Sequence, residues 1–238
     1  MRHLVPILLF ALACKAQALT LRLCTLDQPF PPHTMPDGSG QAQQLLRQAA
    51  ADEGIDIDNS VAPRLRCIAQ VKSGEVDAVL SAFLPERMEY GVFPMAGTVA
   101  DETRAVGVVR FVIYRQKGSH VGWDGHAFSG LDARPVGIQA GLAVTQRLRQ
   151  TGVLVDQGAK TIGQNLEKLV RGRVQAVVAL EGESQPLIER EYGDRIEKLS
   201  QAFDSTPIYL HVRPAYYAEH RSAIEHLWNA LRRRRGQR

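Results

Sequence analysis

One phrase occurs twice in this chain, and it limits the possible folds more than any other feature. "GEVDAVLSA" begins at Gly74 and "GRVQAVVAL" begins at Gly172. Each is a glycine turn followed by a run rich in β-branched residues. Each also follows an amphipathic stretch, "CIAQVKS" in the first case and "NLEKLVR" in the second. A helix that stops at glycine and passes into a short buried strand is one leg of an α/β unit. Two such legs predict two lobes of similar architecture.

The rest of the chain follows that plan. From Leu19, "LTLRLCTL" alternates like a strand and runs into "DQPFPPHTMPDGSG", a loop too rich in Pro and Gly for regular structure. Then come helix "QAQQLLRQAAADEG", strand "IDIDNSVAP", helix "RLRCIAQVKSG" and strand "EVDAVLSAF". This β-α-β-α-β order makes a parallel sheet with helices on its faces. A long apolar stretch, "TRAVGVVRFVIYRQKG", and the loop "SHVGWDGHAFSGLDA" precede a second series of the same kind. That series runs through "RPVGIQA", "LAVTQRLRQTG", "VLVD", "IGQNLEKLVRG", "RVQAVVAL" and "SQPLIEREYG". Each half is thus predicted to build its own parallel sheet. "PIYLHVRP" and the helix "AEHRSAIEHLWNALRR" remain to return and complete the first lobe.

The beginning, "MRHLVPILLFALACKAQALT", has a basic start, an apolar run and then "AQA". This is the layout of a cleavable export signal, residues 1–18, with the cut after Ala18. The alternative reads "ALAC" as a lipoprotein box that would tether the chain through Cys14. The apolar run is too short for a membrane span.

The chain carries 29 Lys and Arg against 25 Asp and Glu. Two of the bases, Arg2 and Lys15, fall in the leader, and five more (Arg232, Arg233, Arg234, Arg235 and Arg238) sit at the C-terminus. Without these seven, acids outnumber bases, so the basic character belongs to a tail, read as solvated and frayed. Nothing resembles the basic stripe that nucleic acid needs. Cleavage leaves two cysteines, Cys24 and Cys67. In an oxidising compartment a pair is expected to bond, the alternative being two separately buried thiols. The bond would close a loop of about 43 residues and contribute roughly 3–4 kcal/mol on the chain-entropy model. No His or Cys stands at metal-ligand spacing around either cysteine.

Taken together, these residues resemble the periplasmic solute-binding proteins of family 3, the amino-acid-binding-like class with the type II periplasmic binding fold. The carriers are the export signal and the opening strand with its Pro-rich loop and "DGSG". To these are added "LPERMEYGVFPM" directly after "GEVDAVLSAF", "PVGIQAG" opening a helix, and "LVRGRVQAVV". The placement of Cys24 and "RLRC" looks like a subgroup in which those cysteines are bridged. The resemblance implies an α/β fold of two lobes joined by two crossovers, near residues 103–107 and 202–206. Lobe 1 would comprise residues 19–105 and 206–238, and lobe 2 residues 106–205. A solute would be clamped between the lobes by hinge closure. It further implies a monomer without cofactor that serves an ABC-type importer or a membrane sensor.

Residue by residue, Arg87 in "PERMEY" occupies the place where relatives hold a ligand carboxylate. A guanidinium fork suits that task; the plainer reading is a surface ion-pair residue. Phe30 corresponds to an aromatic wall, or else plugs its own loop. Gly141 precedes a helix whose backbone N–H groups could receive an anion, with Leu142 beside it. The hydroxyls and the acid that amino-acid binders use are mostly missing. Ser81 stands alone, and Leu180 fills the acidic place with Glu181 one position beyond. An α-ammonium would therefore lack partners, and a carboxylate on an apolar or aromatic body fits better. A dehydratase-like enzyme on this fold would need an acid/base, for which Glu181 and Glu183 are the candidates; helix-start charge explains them equally well. Trp123 and His126 reach the cleft mouth or pin their loop.

Overall fold

The computed structural model describes residues 19–140, 142 and 144–236. The expected export signal and Cys14 lie outside the described residues. The first half comprises strand β1 (Leu19–Leu26), helix α1 (Gln41–Asp52), β2 (Ile55–Ala62), α2 (Arg64–Ser73) and β3 (Ala78–Ala82). Short pairs β4 (Met95–Ala96) and β5 (Val99–Ala100) lead to β6 (Gly107–Gln116), and a second hairpin, β7 (Gly122–Trp123) and β8 (Phe128–Ser129), follows it. The second half contains β9 (Val136–Gln139), α3 (Thr145–Gln150), β10 (Val155–Ala159), α4 (Ile162–Val170), β11 (Ala176–Leu180), α5 (Glu181–Glu191) and β12 (Ile196–Lys198). The chain returns through β13 (Asp204–Val212) and α6 (Pro214–Arg235).

The repeated phrase has the same structural meaning in both places. Gly74 caps α2 at φ 81°, and Gly172 follows α4 at φ 67°, in the left-handed region that glycine tolerates best. The strands that follow, β3 and β11, occupy equivalent positions. The first half orders its strands β2-β1-β3 and the second β10-β9-β11, all in parallel. In each half the repeated strand then meets an antiparallel neighbour that comes from the other side of the molecule. β13 pairs with β3, and β6 pairs with β11.

The expectation of two separate sheets is corrected here. β6 and β13 also pair with each other, Gly107 to Phe111 against Ile208 to Asp204, so one ladder links both halves into a continuous sheet. Both strands are long because each serves several partners: β13 pairs with β6 and β3, and β6 pairs with β13, β11 and β12. Phe111 faces Asp204 on one side and Leu180 on the other, and Ile208 likewise lies between Gly107 and Ala82. The strands begin at Gly107 and Asp204, beside the crossings expected near 103–107 and 202–206.

α6 completes the first half as expected. Trp228, 1% exposed, donates its indole N–H to the Leu210 carbonyl, and the Tyr216 hydroxyl donates to Thr20 O. The arginine run is not a frayed tail over its described part. Arg233 pairs with Glu53, Arg234 clasps Asp52 through two nitrogens, and Arg235 donates to the carbonyls of Glu102 and Ala105. These contacts tie the end of α6 to α1 and to the turn before β6.

Candidate functional site

In each half the first strand has the second on one side and the third on the other. Such a reversal opens a crevice at the carboxyl ends of parallel strands, where ligands of open α/β sheets bind. A cavity of about 530 Å³ lies there. From the first half it is lined by the ends of β1 (Cys24, Thr25, Leu26) and β3 (Val79 to Ala82), by Phe30 and Thr34, and by Arg64 and Arg87. From the second half come Leu142, Val144, Arg147 and Leu180. Phe111, Asp204 and Ile208, all on the strands joining the halves, form its floor.

Arg87 lies in a short 3-10 turn, Pro85–Glu89, directly after β3. One guanidinium nitrogen, Nη1, donates to the Ala82 carbonyl at 2.8 Å, which anchors the side chain over the strand end. Ser81 donates to the same carbonyl at 3.2 Å and shares a 2.9 Å bond with His211 Nδ1. His211 is 1% exposed and packs against Tyr90 and Phe93. Burial, reinforced by the nearby Arg87 guanidinium, pushes its pKa down to about 3, so the ring is neutral. Arg87 is thus supported by a neutral Ser81–His211 pair that adds no competing charge.

The charged side chains lining the cavity are Arg64, Arg87, Arg147 and Asp204. Asp204, the one carboxylate among them, is ion-paired with Arg147 of the second half. Most of the remaining wall is apolar: Leu26, Phe30, Ile68, Val79, Leu80, Leu84, Val109, Phe111, Leu142, Val144, Leu180 and Ile208. Positive charge on an apolar lining suits an anion with a hydrocarbon body and leaves an ammonium group without a free acid.

Of the site residues expected from sequence, Arg87, Phe30, Ser81 and Leu142 come together around the cavity. Gly141 lies outside the described residues. Glu181 is not in the lining. α5 begins at Glu181, and the carboxylate there is bonded by Lys198 Nζ at 2.6 Å, with Arg110 Nε at 3.5 Å. Glu183, in the same first turn, is pushed up in pKa by burial and is also absent from the lining. Trp123 pins its loop by packing its ring, tilted, against Phe128 and Phe203 and donating to Ala202 O, while His126 sits exposed in the turn. Cys24 and Cys67 lie within bonding distance, with Cα atoms 5.5 Å apart, and form part of the cavity wall.

Sequence reasoning missed Thr34, Arg64, Phe111, Arg147 and Asp204. Thr34 is 5% exposed, and its hydroxyl has no hydrogen-bond partner among the described residues. No local pattern marks these residues, and Phe111, Arg147 and Asp204 meet the first-half lining only through the pairing of β6 with β13.

No protein-family model matches the sequence, and no curated protein is significantly similar to it. Solved structures do resemble it. The unliganded, open L-cystine solute receptor of Neisseria gonorrhoeae is 13% identical, with 92% of this chain and 88% of that chain covered and a TM-score of 0.68. An ancestral arginine-binding protein bound to arginine is 20% identical over 91% and 92%, with a TM-score of 0.57. The VFT2 domain of Bordetella pertussis BvgS, a double mutant, is 17% identical over 90% and 86%, also at 0.57. At such low identity the likeness speaks for architecture alone: the chain has the two-lobed, periplasmic-binding-protein-like α/β fold.

Proposed function

We propose that the chain is a periplasmic solute-binding protein, related to the family 3 class, that captures a small carboxylate-bearing solute between its lobes for an ABC-type importer. The lobes would be residues 19–105 with 206–238, and residues 106–205, after removal of residues 1–18. One observation carries the reading: Arg87 borders an apolar cavity formed by both halves, in which the lone carboxylate is already paired. The ligand carboxylate would bond the Arg87 guanidinium, and its body would lie against Phe30, Phe111 and Leu142. Closure about the β6–β13 ladder would bring Leu142, Arg147 and Leu180 onto it.

Sensing is the second reading, favoured by the likeness to the BvgS VFT2 domain; the same cleft would then report to a membrane partner instead of delivering cargo. A dehydratase-like activity is less favoured, since neither Glu181 nor Glu183 lines the cavity. Thermal-shift titration of the mature chain with a carboxylate and amino-acid library tests the proposal. A carboxylate should raise Tm in proportion to RT ln(1 + [L]/Kd). Arg87→Ala should weaken that ligand about 10- to 100-fold, the value of charge-assisted hydrogen bonds. Unchanged affinity in Arg87→Ala, or a preference for amino acids, would overturn the site assignment.

A further inference from the structure

Arg64 also borders the cavity, and its position says something about the ligand beyond a single carboxylate. It is exposed, opens α2, and has no hydrogen bond or ion pair among the described residues. Arg147, by contrast, is paired with Asp204, and Arg87 is anchored on Ala82 O. The cavity therefore holds two guanidiniums with bonding capacity to spare, and the carboxylate that could neutralise one of them is engaged elsewhere.

The strand order places these two groups apart. Arg64 follows the end of β2 and Arg87 follows the end of β3, and these strands flank β1 on opposite sides. Neighbouring strands lie about 4.8 Å apart, so the ends of β2 and β3 that lead to Arg64 and Arg87 are separated by roughly 10 Å. Between them lie the end of β1 and the loop after it, including the half-buried Phe30 and the unpartnered hydroxyl of Thr34. Two anionic groups at the ends of a short carbon skeleton match that spacing of the strand ends.

Resting on the solute-binding reading above, we propose that the ligand is a dianion with separated charges, such as a short aliphatic or aromatic dicarboxylate. One carboxylate bonds Arg87, and the other bonds Arg64. The apolar wall covers the skeleton between them.

The test is calorimetric titration of the mature chain with matched probes: glutarate, adipate and terephthalate against hexanoate and benzoate, with phenyl phosphate as a compact dianion. At least one diacid should bind ten-fold or more tighter than its matched monoacid and tighter than phenyl phosphate. Raising the salt concentration should weaken that diacid more than the monoacid. Arg64→Gln should abolish the advantage, bringing the diacid to the level of the monoacid, whereas Arg64→Lys should keep part of it. A diacid advantage that persists in Arg64→Gln overturns the proposal, as does tighter binding of the monoacids or of phenyl phosphate. Binding of monoacids alone defeats only this inference; failure of every carboxylate defeats the solute-binding reading beneath it as well.

Discussion

Asp77→Asn probes the strand that carries Ser81 and leads into Arg87. Asp77 stands in the repeated phrase where the second copy has Gln175. Its side chain is 1% exposed, and its carboxylate accepts from Arg22 at 2.7 and 2.8 Å and from Arg213 at 3.1 Å. Burial pushes its pKa up, but the bonds from Arg22 and Arg213 outweigh this and hold it below the usual carboxylate range. The amide keeps the shape, removes the charge and turns a donor toward the guanidiniums. Breaking a buried pair costs about 3–5 kcal/mol. Arg22 is 43% exposed and can regain water, which favours the low end, about 3 kcal/mol. For a chain of this size that is roughly 6–12 °C in Tm. The sign with pH follows from the depressed folded pKa. The contribution is complete above the unfolded value of about 4 and is lost as pH falls through the folded value. Calorimetry from neutral pH down to about pH 3 should show a gap between wild type and Asp77→Asn that narrows on acidification. Equal Tm values at neutral pH, or a gap undiminished at the acid end, would refute the reasoning.

Two further outcomes follow from the contacts described. Reducing the mature protein should add two hydrogens to its intact mass and lower its stability by about 4 kcal/mol on the chain-entropy model, the Cys24–Cys67 loop spanning 43 residues; free thiols before reduction would contradict this. A methyl group at Gly182, at the start of α5, would overlap the Pro31 carbonyl, a contact between the two halves. Gly182→Ala should therefore cost about 1–3 kcal/mol, read as a lower Tm, and an unaltered Tm would show that this contact is not made in solution.

The sequence revealed what is local and repeated. Glycine stops and β-branched runs located β3 and β11, and their equivalence predicted the matching strand orders. It did not reveal that Gly107–Phe111 pairs with Asp204–Ile208, because a ladder between strands so distant in sequence leaves no periodic trace. The separate sheets expected from the repeat merged for that reason. Arg87 was legible from its neighbours in "PERMEY", whereas Arg147 and Asp204 enter the cavity only through the folded joint. Glu181 was placed by its distance from the repeated strand, but α5 starts at that residue and Lys198 holds its carboxylate. The arginine run was read by composition as solvated, though it meets acids at the end of α1 that no sequence window could pair with it.

Hydrogen exchange with and without the tightest-binding carboxylate addresses the central claim most directly. A solute gripped between the halves should slow exchange in segments of both, 79–90 in the first and 142–150 and 176–184 in the second, together with the ladder joining them. Slowing confined to one half, or spread without preference for these segments, would contradict the account.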